Sequence, residues 1–403
     1  VKILMICEFY DPKLAYQENF LSKFYVSRGH DVVVITSTFE NVFDYYADRH
    51  DASLPRSEFD DGGARIIRLP YRYNLMNRLR AYVSISEIMS EFAPDMIFIH
   101  DIIPNIPEII RYKKKNRNVR VVMDYHADYS NSGKNWLSLA ILHGVVRKFF
   151  LDHARPHLAA IFPVVPASTT FLREVYKVPD HEMEVLPLGA DIAAADHVRA
   201  TTDRAQLRAS FGIAGSDFVV FTGGKLDAKK QTEKLIKAVK LCGADCHLIV
   251  VGQPKADDVA YQDVLTSAAA GSPNIHFAGW LTSDDVLRHM SICDIAVFPA
   301  SQSVIWQQAI SMGLPVIAGD AGYQDSSYLN RHDNLITLAA RDIEVGVIAR
   351  HIERLKSDDG LRAKMGEGAL RTAAEFLDWN RIARRTLDVD LKAERRAGLQ
   401  AGA

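Results

Sequence analysis

Paired glycines and two lysines are the residues of this chain most clearly arranged for chemistry. Gly223 and Gly224 end the apolar run Phe218-Val219-Val220-Phe221-Thr222, and Lys225 and Lys230 follow before the helical pattern Thr232–Val239. A buried strand that breaks at glycine lets the backbone approach a ligand. A helix start offers N–H groups that no turn has yet used, and lysines add positive charge. Together they make a place for a phosphate. Strand–Gly–helix turns also occur in α/β proteins with no ligand there, so the rest of the chain must decide.

A second group lies in the first half, where His126 follows the apolar run Val121–Asp124 within Met123-Asp124-Tyr125-His126-Ala127-Asp128. An imidazole between two carboxylates is biased toward its protonated form. The plainer reading is a loop histidine that orders a turn. Two basic–apolar stretches, Arg111-Tyr112-Lys113-Lys114-Lys115-Asn116-Arg117 and Val145-Val146-Arg147-Lys148-Phe149-Phe150, fit an anionic membrane surface. A solvated helix face explains the first of them equally well.

The elements that must position these residues alternate along the chain. Val1–Cys7, Asp31–Thr36, Arg65–Leu69, Met96–His100, Val121–Asp124 and Ile161–Pro166 read as strands, and Gln17–Arg28 as a helix stopped at Gly29. Asn41–Gly63 is polar and irregular and reads as a long loop. Apolar runs buried on both faces and separated by helices predict a parallel sheet. The Ala-rich stretch Ile192–Gln206 reads as a linker. A second alternation follows, with strands at Phe218–Thr222, His247–Val251, Ile275–Phe277, Ile295–Phe298 and Val316–Ala318. Two Rossmann-like halves joined near residue 200 is the economical arrangement, and ligands in such sheets bind at the carboxyl ends of strands, which predicts an inter-domain cleft. The tail Arg395–Ala403 reads as frayed.

Composition narrows the function. At 403 residues the chain is long enough for two domains, and its 48% hydrophobic and 24% charged content is that of an ordinary globular protein. A formal net charge of −2 excludes nucleic-acid binding driven by overall charge. Cys7, Cys242, Cys246 and Cys293 complete no zinc pattern and fit thiols in a reducing compartment. The first residues read as a strand and not a signal peptide, and no apolar run reaches membrane-spanning length, so the expected location is the cytoplasm. The first strand is followed by no GxGxxG, which argues against a dinucleotide oxidoreductase.

The chain resembles the retaining GT-B glycosyltransferases of family 4. Arg28-Gly29-His30-Asp31-Val32 is similar to the family's RGHxV, and Pro94-Asp95-Met96-Ile97-Phe98-Ile99-His100 to its PDxxxxH strand. Leu186-Pro187-Leu188-Gly189-Ala190-Asp191 resembles xPNGVD, and Gly224-Lys225-Leu226 stands where GRL is usual, with Lys230 at the family's lysine. Val250-Val251-Gly252, Phe277-Ala278-Gly279-Trp280 and Gly313-Leu314-Pro315-Val316-Ile317-Ala318 complete the series. Tyr16-Gln17-Glu18-Asn19 replaces the usual paired glycines of the first loop and resembles a branch found in bacterial surface-polysaccharide pathways.

The resemblance implies an α/β, GT-B fold. An acceptor-side domain would span 1–192, a nucleotide-sugar domain 193–370, and a helical segment crossing back to the first domain 371–403. It implies that Lys225 and Lys230 stabilise the leaving diphosphate, with Lys225 keeping the charge of the family's arginine but not its bidentate fork. It implies that His126 hydrogen-bonds the donor sugar, that Trp280 sits at the nucleobase, and that Gly224 lets the backbone close on the donor. Tyr16, Gln17 and Glu18 would face the acceptor, although a glutamate at a helix N-terminus is also favoured by the macrodipole alone. The family's E-x7-E motif falls on Ser301–Gln308, where Gln308 or Gln307 takes the place of the second glutamate, which loses a charge-assisted bond. The N–H groups of Ser303 and Val304 would cradle phosphate at the start of a helix Val304–Met312, and Trp306 reads as core.

The implied activity is transfer of a hexose from a nucleotide diphosphate-sugar to a glycan or lipid-linked acceptor in bacterial polysaccharide synthesis. No metal and no cofactor beyond that co-substrate are expected, and peripheral contact with the cytoplasmic face of the inner membrane is. Two rivals stand beside it: a degenerate GT-B scaffold or binding subunit, favoured by the missing glutamates, and a GT-B nucleotide-sugar epimerase, which would want more carboxylates than the expected places hold.

Overall fold

The computed structural model describes residues 1–13, 16–39, 56–133, 135–255, 258–300, 303–321 and 325–389. By packing, the chain forms two units: Val1–Pro187 together with the late helix Trp379–Leu387, and Leu188–Asp378.

The first unit is built on β1 (Lys2–Ile6), β2 (Asp31–Ser37), β3 (Ser57–Asp61), β4 (Ala64–Leu69), β7 (Met96–His100), β8 (Arg120–Tyr125) and β9 (Ala160–Pro163). They lie in the order β3-β4-β2-β1-β7-β8-β9, and β5 (Tyr71–Leu75) and β6 (Leu79–Tyr82) form a separate hairpin. Every pairing in the seven-stranded sheet is parallel except β3 with β4. Alternate residues of the central strands point to opposite faces. Leu4, Ile6, Val33, Ile35, Ile97, Ile99, Val121 and Met123 join one core cluster. Near the other end of the chain, Trp379 stacks on Phe20 of the helix Gln17–Ser27 with ring centroids 5.2 Å apart, and the hydroxyls of Tyr25 and Thr386 meet at 2.5 Å. Arg385 forks onto Glu184 at 2.7 and 3.1 Å.

The second unit carries β10 (Phe218–Gly223), β11 (Cys246–Val251), β12 (Ile275–Gly279), β13 (Ile295–Phe298), β14 (Val316–Asp320) and β15 (Leu335–Ala339), all parallel, in the order β12-β11-β10-β13-β14-β15. Its two faces feed two cores: Val219, Phe221, Ala296 and Phe298 on one side, Phe218, Val220, Ile295 and Val297 on the other. In both units the strand order reverses beside the first strand, between β1 and β7 and between β10 and β13. Such reversal points, at the carboxyl ends of the strands, are where open α/β sheets take ligands.

Several expectations are corrected. Ile192–Gln206 is not a linker: it holds the helix Ile192–Thr201 and opens the helix Arg204–Ser210. Asp191 and Asp203 cap them, accepting from Ala194 N and Gln206 N at 3.0 Å, and alanine is the best helix former. Ser57–Asp61, inside the expected loop Asn41–Gly63, is a strand, whereas 40–55 lies outside the described residues. Ile161–Pro166 is cut short because Pro166 opens the helix Pro166–Tyr176, a position proline suits. The tail Arg395–Ala403 also lies outside the described residues.

Candidate functional site

At the reversal point of the second unit the backbone does most of the shaping. Gly224 takes φ +111°, and a Cβ placed on it would lie 3.4 Å from Ser303 Oγ and 3.7 Å from Lys230 Nζ. Gly252, at φ +102°, lies so close behind that a Cβ there would fall 2.0 Å from Gly224 O. Only glycine fits both the sign of φ and the space. Asp227 accepts from Lys229 N at 3.1 Å and caps the single turn Ala228–Lys230, after which Gln231 goes left-handed at φ +51°. That turn folds Lys230 back toward Gly224. Burial lowers the pKa of Lys230, and Asp227 partly opposes the shift. A semi-enclosed amine beside open backbone is what an anion needs.

Ser303 and Val304 precede the helix Ile305–Ser311, shorter than the expected Val304–Met312, and its first amides bond back to them: Trp306 N to Ser303 O at 3.0 Å, Gln307 N to Val304 O at 3.1 Å. Trp306 is fully buried and stacks on Phe298 at 5.6 Å, as a core residue. Gln307 is buried too. Its amide donates to Tyr328 OH at 3.4 Å or, turned over, to the carbonyls of Val304 and Ser303 at 3.1 and 3.2 Å. Gln308 is half-buried, Lys225 is exposed, and Trp280 is 60% exposed just after Gly279, whose carbonyl accepts from Gly252 N at 2.6 Å. The structure thus brings Gly224, Lys230 and Ser303 together.

At the reversal point of the first unit the furnishing is side chains. Asp124, at the end of β8 and fully buried, gathers Gln17 Nε2 at 2.9 Å, His100 Nδ1 at 3.1 Å and His126 Nε2 at 3.1 Å on its Oδ2. Its Oδ1 accepts from Asp101 N at 3.2 Å. Burial alone would raise the Asp124 pKa, but the two imidazoles outweigh it and hold the carboxyl well below its usual range. Burial likewise opposes a charge on His100, yet the Asp124 carboxylate pushes its pKa up to about 10. The two imidazoles lie 4.3 Å apart, centroid to centroid. Ligand atoms of His100, Asp124 and His126 all fall within 4.8 Å of one another, so these three are close enough to close on a cation. As they stand, Asp124 is a hub that fixes the orientation of His126.

Of the residues expected to face the acceptor, Gln17 belongs to this hub. Tyr16 and Glu18 flank it at the start of the helix, where Tyr16 N donates to Asn19 Oδ1 at 3.4 Å. Only one of the two carboxylates around His126 engages it, because Asp128 instead accepts from Ser130 N, Ser130 Oγ and Asn131 N at 2.7, 2.6 and 3.1 Å. Sequence reasoning passed over Asp124 as the hub. His100 and Asp124 come together because they stand opposite each other, in register, near the ends of adjacent strands, which only the strand order brings about. The same reasoning also passed over Arg80, and it read Arg147 only as part of the basic–apolar stretch Val145–Phe150.

The chain has the GT-B glycosyltransferase fold, which its likeness to solved glycosyltransferases shows. Anabaena HepE, solved in complex with UDP, superposes with a TM-score of 0.71 over 97% of this chain and 100% of its own at 16% identity, a likeness of fold. Residues 20–194 match Glycosyltransferase Family 4 and residues 203–372 match Glycosyl transferases group 1. The chain belongs to these glycosyltransferases. A D-inositol 3-phosphate glycosyltransferase of Streptomyces bingchenggensis is 27% identical over 213 residues, covering 50% of this chain and 46% of the relative. A GDP-mannose-dependent monoacylated alpha-(1-6)-phosphatidylinositol monomannoside mannosyltransferase of Corynebacterium glutamicum is 27% identical over 153 residues, 34% of this chain and 39% of its own. The chain spans about half the length of the curated relatives it matches.

Proposed function

We propose that the chain is a retaining glycosyltransferase that moves a hexose from a nucleotide diphosphate-sugar to a glycan or lipid-linked acceptor in bacterial polysaccharide synthesis, without a metal ion or further cofactor. The observation that carries the reading is the turn in which Lys230 Nζ stands against the open backbone of Gly224 beside Ser303. The donor's C1–O bond breaks, and the leaving diphosphate gathers charge against Lys230 and the exposed Lys225. The acceptor oxygen attacks C1 from the same face, and its proton passes to a diphosphate oxygen. Cations fixed there act more on the transition state than on the ground state. His126, held by Asp124, would steady the donor sugar, Trp280 the base, and Gln308 or Gln307 the ribose. HepE, of like fold, is solved with UDP and with UDP-glucose, which supports a nucleotide-sugar donor.

Peripheral contact with the inner membrane is supported by one exposed apolar stripe in the first unit: Leu137, Ile141, Val145 and Phe149, four residues apart, with Trp136 beside them. Among the described residues no helix is long and apolar enough to cross a membrane.

A second reading, a GT-B subunit that binds nucleotide without turnover, is favoured by the burial of Gln307 and the absence of a carboxylate at Gln307 and Gln308. Calorimetry and thermal melting with UDP, GDP, ADP and their sugars test both. Stabilisation that Lys230→Ala removes, with glycoside formed from one donor, is the expected result. Stabilisation without product favours the subunit, an isomerised nucleotide sugar the epimerase, and no stabilisation by any nucleotide sinks the transferase.

A further inference from the structure

At the amino ends of β13 and β14, the edge of the sheet away from Gly224 and Lys230, the second unit holds a cavity of about 640 Å³. That volume falls in the roughly 300–1,000 Å³ of pockets that take a small molecule. Met290, Met312, Leu314 and Pro315 give it an apolar lining, and methionine adapts to the shape of what lies against it. Arg199, Arg204 and Arg362 bring positive charge to it, Asp294 and Asp359 negative charge.

Those charges are not equally matched. Arg362 Nη2 donates to Asp359 Oδ1 at 2.5 Å, and its Nη1 to Leu355 O at 2.7 Å. Asp294 Oδ2 accepts from Arg208 Nη2 at 3.0 Å and from Val219 N at 2.8 Å. Arg199 is bound to Asp196 and to Ser311 O. Arg204 differs: it is exposed, and its guanidinium has no ion pair or hydrogen bond among the described residues. Its field nevertheless reaches the cavity. Burial and Asp294 raise the pKa of Cys293 in the wall, and Arg208 and Arg204 pull against them. One positive charge beside an apolar lining is left to be met.

The cavity and the glycine turn share a helix. Ile305–Ser311 begins just after Ser303, which stands beside Gly224, and ends where Met312 and Gly313 line the cavity. Its seven residues span about 10 Å. Arg199 holds the carbonyl of Ser311 at its end, where a cation suits the helix dipole. Packing there is tight. Gly313 is left-handed at φ +76°, and a Cβ on Gly366 of the helix Asp359–Thr372 would lie 3.0 Å from Gly313 O. Glycine is unfavourable inside a helix, and this close approach accounts for it.

We infer that the cavity is a regulatory site for an organic anion, one charged group on an apolar body, drawn to Arg204 and seated on Met290 and Met312. The anion competes with Ser311 O for Arg199. It thereby frees one end of the helix Ile305–Ser311 and loosens Ser303 at the other. The effect on nucleotide rests on the transferase reading; the anion site does not.

The test uses anilinonaphthalene sulfonate, a sulfonate on an aromatic body that fluoresces in apolar surroundings. Fluorescence titration and calorimetry at constant ionic strength compare the full chain, Arg204→Glu and Lys230→Ala, and UDP affinity is measured with and without saturating probe. Glutamate suits the first turn of the helix Arg204–Ser210, so Arg204→Glu should melt as the wild type does. The probe should fill one saturable site per chain, bind Arg204→Glu about tenfold or more weakly, and bind Lys230→Ala unchanged. Octanoate should displace it. UDP affinity should fall severalfold with the probe bound, the probe's affinity should fall by the same factor with UDP bound, and both effects should vanish in Arg204→Glu. Equal binding to the wild type and Arg204→Glu, loss of binding in Lys230→Ala, or no displacement by octanoate would overturn the site. UDP affinity indifferent to a bound probe would overturn the regulation. If UDP itself does not bind, the transferase reading and the regulation fall together, and a saturable site that depends on Arg204 remains.

Discussion

The two units put their candidate sites at the same topological place and furnish them in opposite ways. Between β10 and β13 the working surface is backbone, opened by Gly224 and Gly252, with one amine folded onto it. Between β1 and β7 it is a packed set of ionisable side chains around the buried Asp124. Backbone N–H groups and a single cation recognise what every nucleotide diphosphate shares. A side-chain cluster recognises shape and charge particular to one partner, and each member depends on the others being in place. The chain therefore reads as a general half and a particular half.

The sharpest way to break that contrast is Asp124→Asn. Removing the charge leaves His100 and His126 without their common partner, and breaking a buried pair costs about 3–5 kcal/mol. Turnover should fall at least tenfold, while stabilisation by nucleotide persists. If Asp124→Asn abolished nucleotide binding as well, the two regions would not be separate in function, and the contrast would fail.

Gly252→Ala probes the other region. A methyl group 2.0 Å from Gly224 O, at φ +102°, forces the glycine turn to move, with a strain of about 1–3 kcal/mol. Nucleotide binding should drop severalfold to a hundredfold by calorimetry, while the protein without ligand still melts cooperatively. Loss of that cooperative melt would show a global defect in place of a local one.

A milder contrast concerns pH. His143 is buried between Ser132 Oγ and Tyr176 OH, at 3.0 and 2.6 Å. Burial, with Arg147 nearby, lowers its pKa from 6.5 to about 4. The unfolded chain then binds a proton that the folded one refuses, so stability is lost as pH falls from 6.5 toward 4. The loss is of order 2 kcal/mol, and His143→Gln should flatten the slope of melting temperature against pH in that window. A slope unchanged by the substitution would assign it to other groups.

Smallest in stability is Phe149→Glu with Val145→Glu, on the exposed stripe. Unfolding free energy should move by less than about 0.5 kcal/mol, as at other surface positions. Sedimentation with anionic vesicles should fall sharply if the stripe meets a membrane. Unchanged sedimentation would remove the membrane from the account of the first unit.

How much of this could be read from the sequence follows the same divide. Apolar runs such as Phe218–Thr222 and Met96–His100 fall where strands are, because a strand buried on both faces has little choice of residue. The turn at Gly224 was legible because glycine and lysine at close spacing record a backbone shape. The stretch after Asp191 was misread because alanine and polar residues have no apolar face to betray a helix, and only the capping aspartates mark it. Asp124 and His100 are 24 residues apart, and Arg80 and Arg147 are farther still. Such partners meet only through strand order, and no local spacing encodes that.

The helix Trp379–Leu387 has a consequence for how the protein is made. It packs on the first unit through Trp379, Ile382 and Thr386, yet everything from Leu188 to Asp378 is translated before it. The second unit is thus complete on the ribosome while the first still waits for its closing piece. At roughly 5–20 residues per second the wait is about 10–40 s. Through that interval Phe20 and Tyr25 lack their cover, and a chaperone that shields apolar surface has its natural target there.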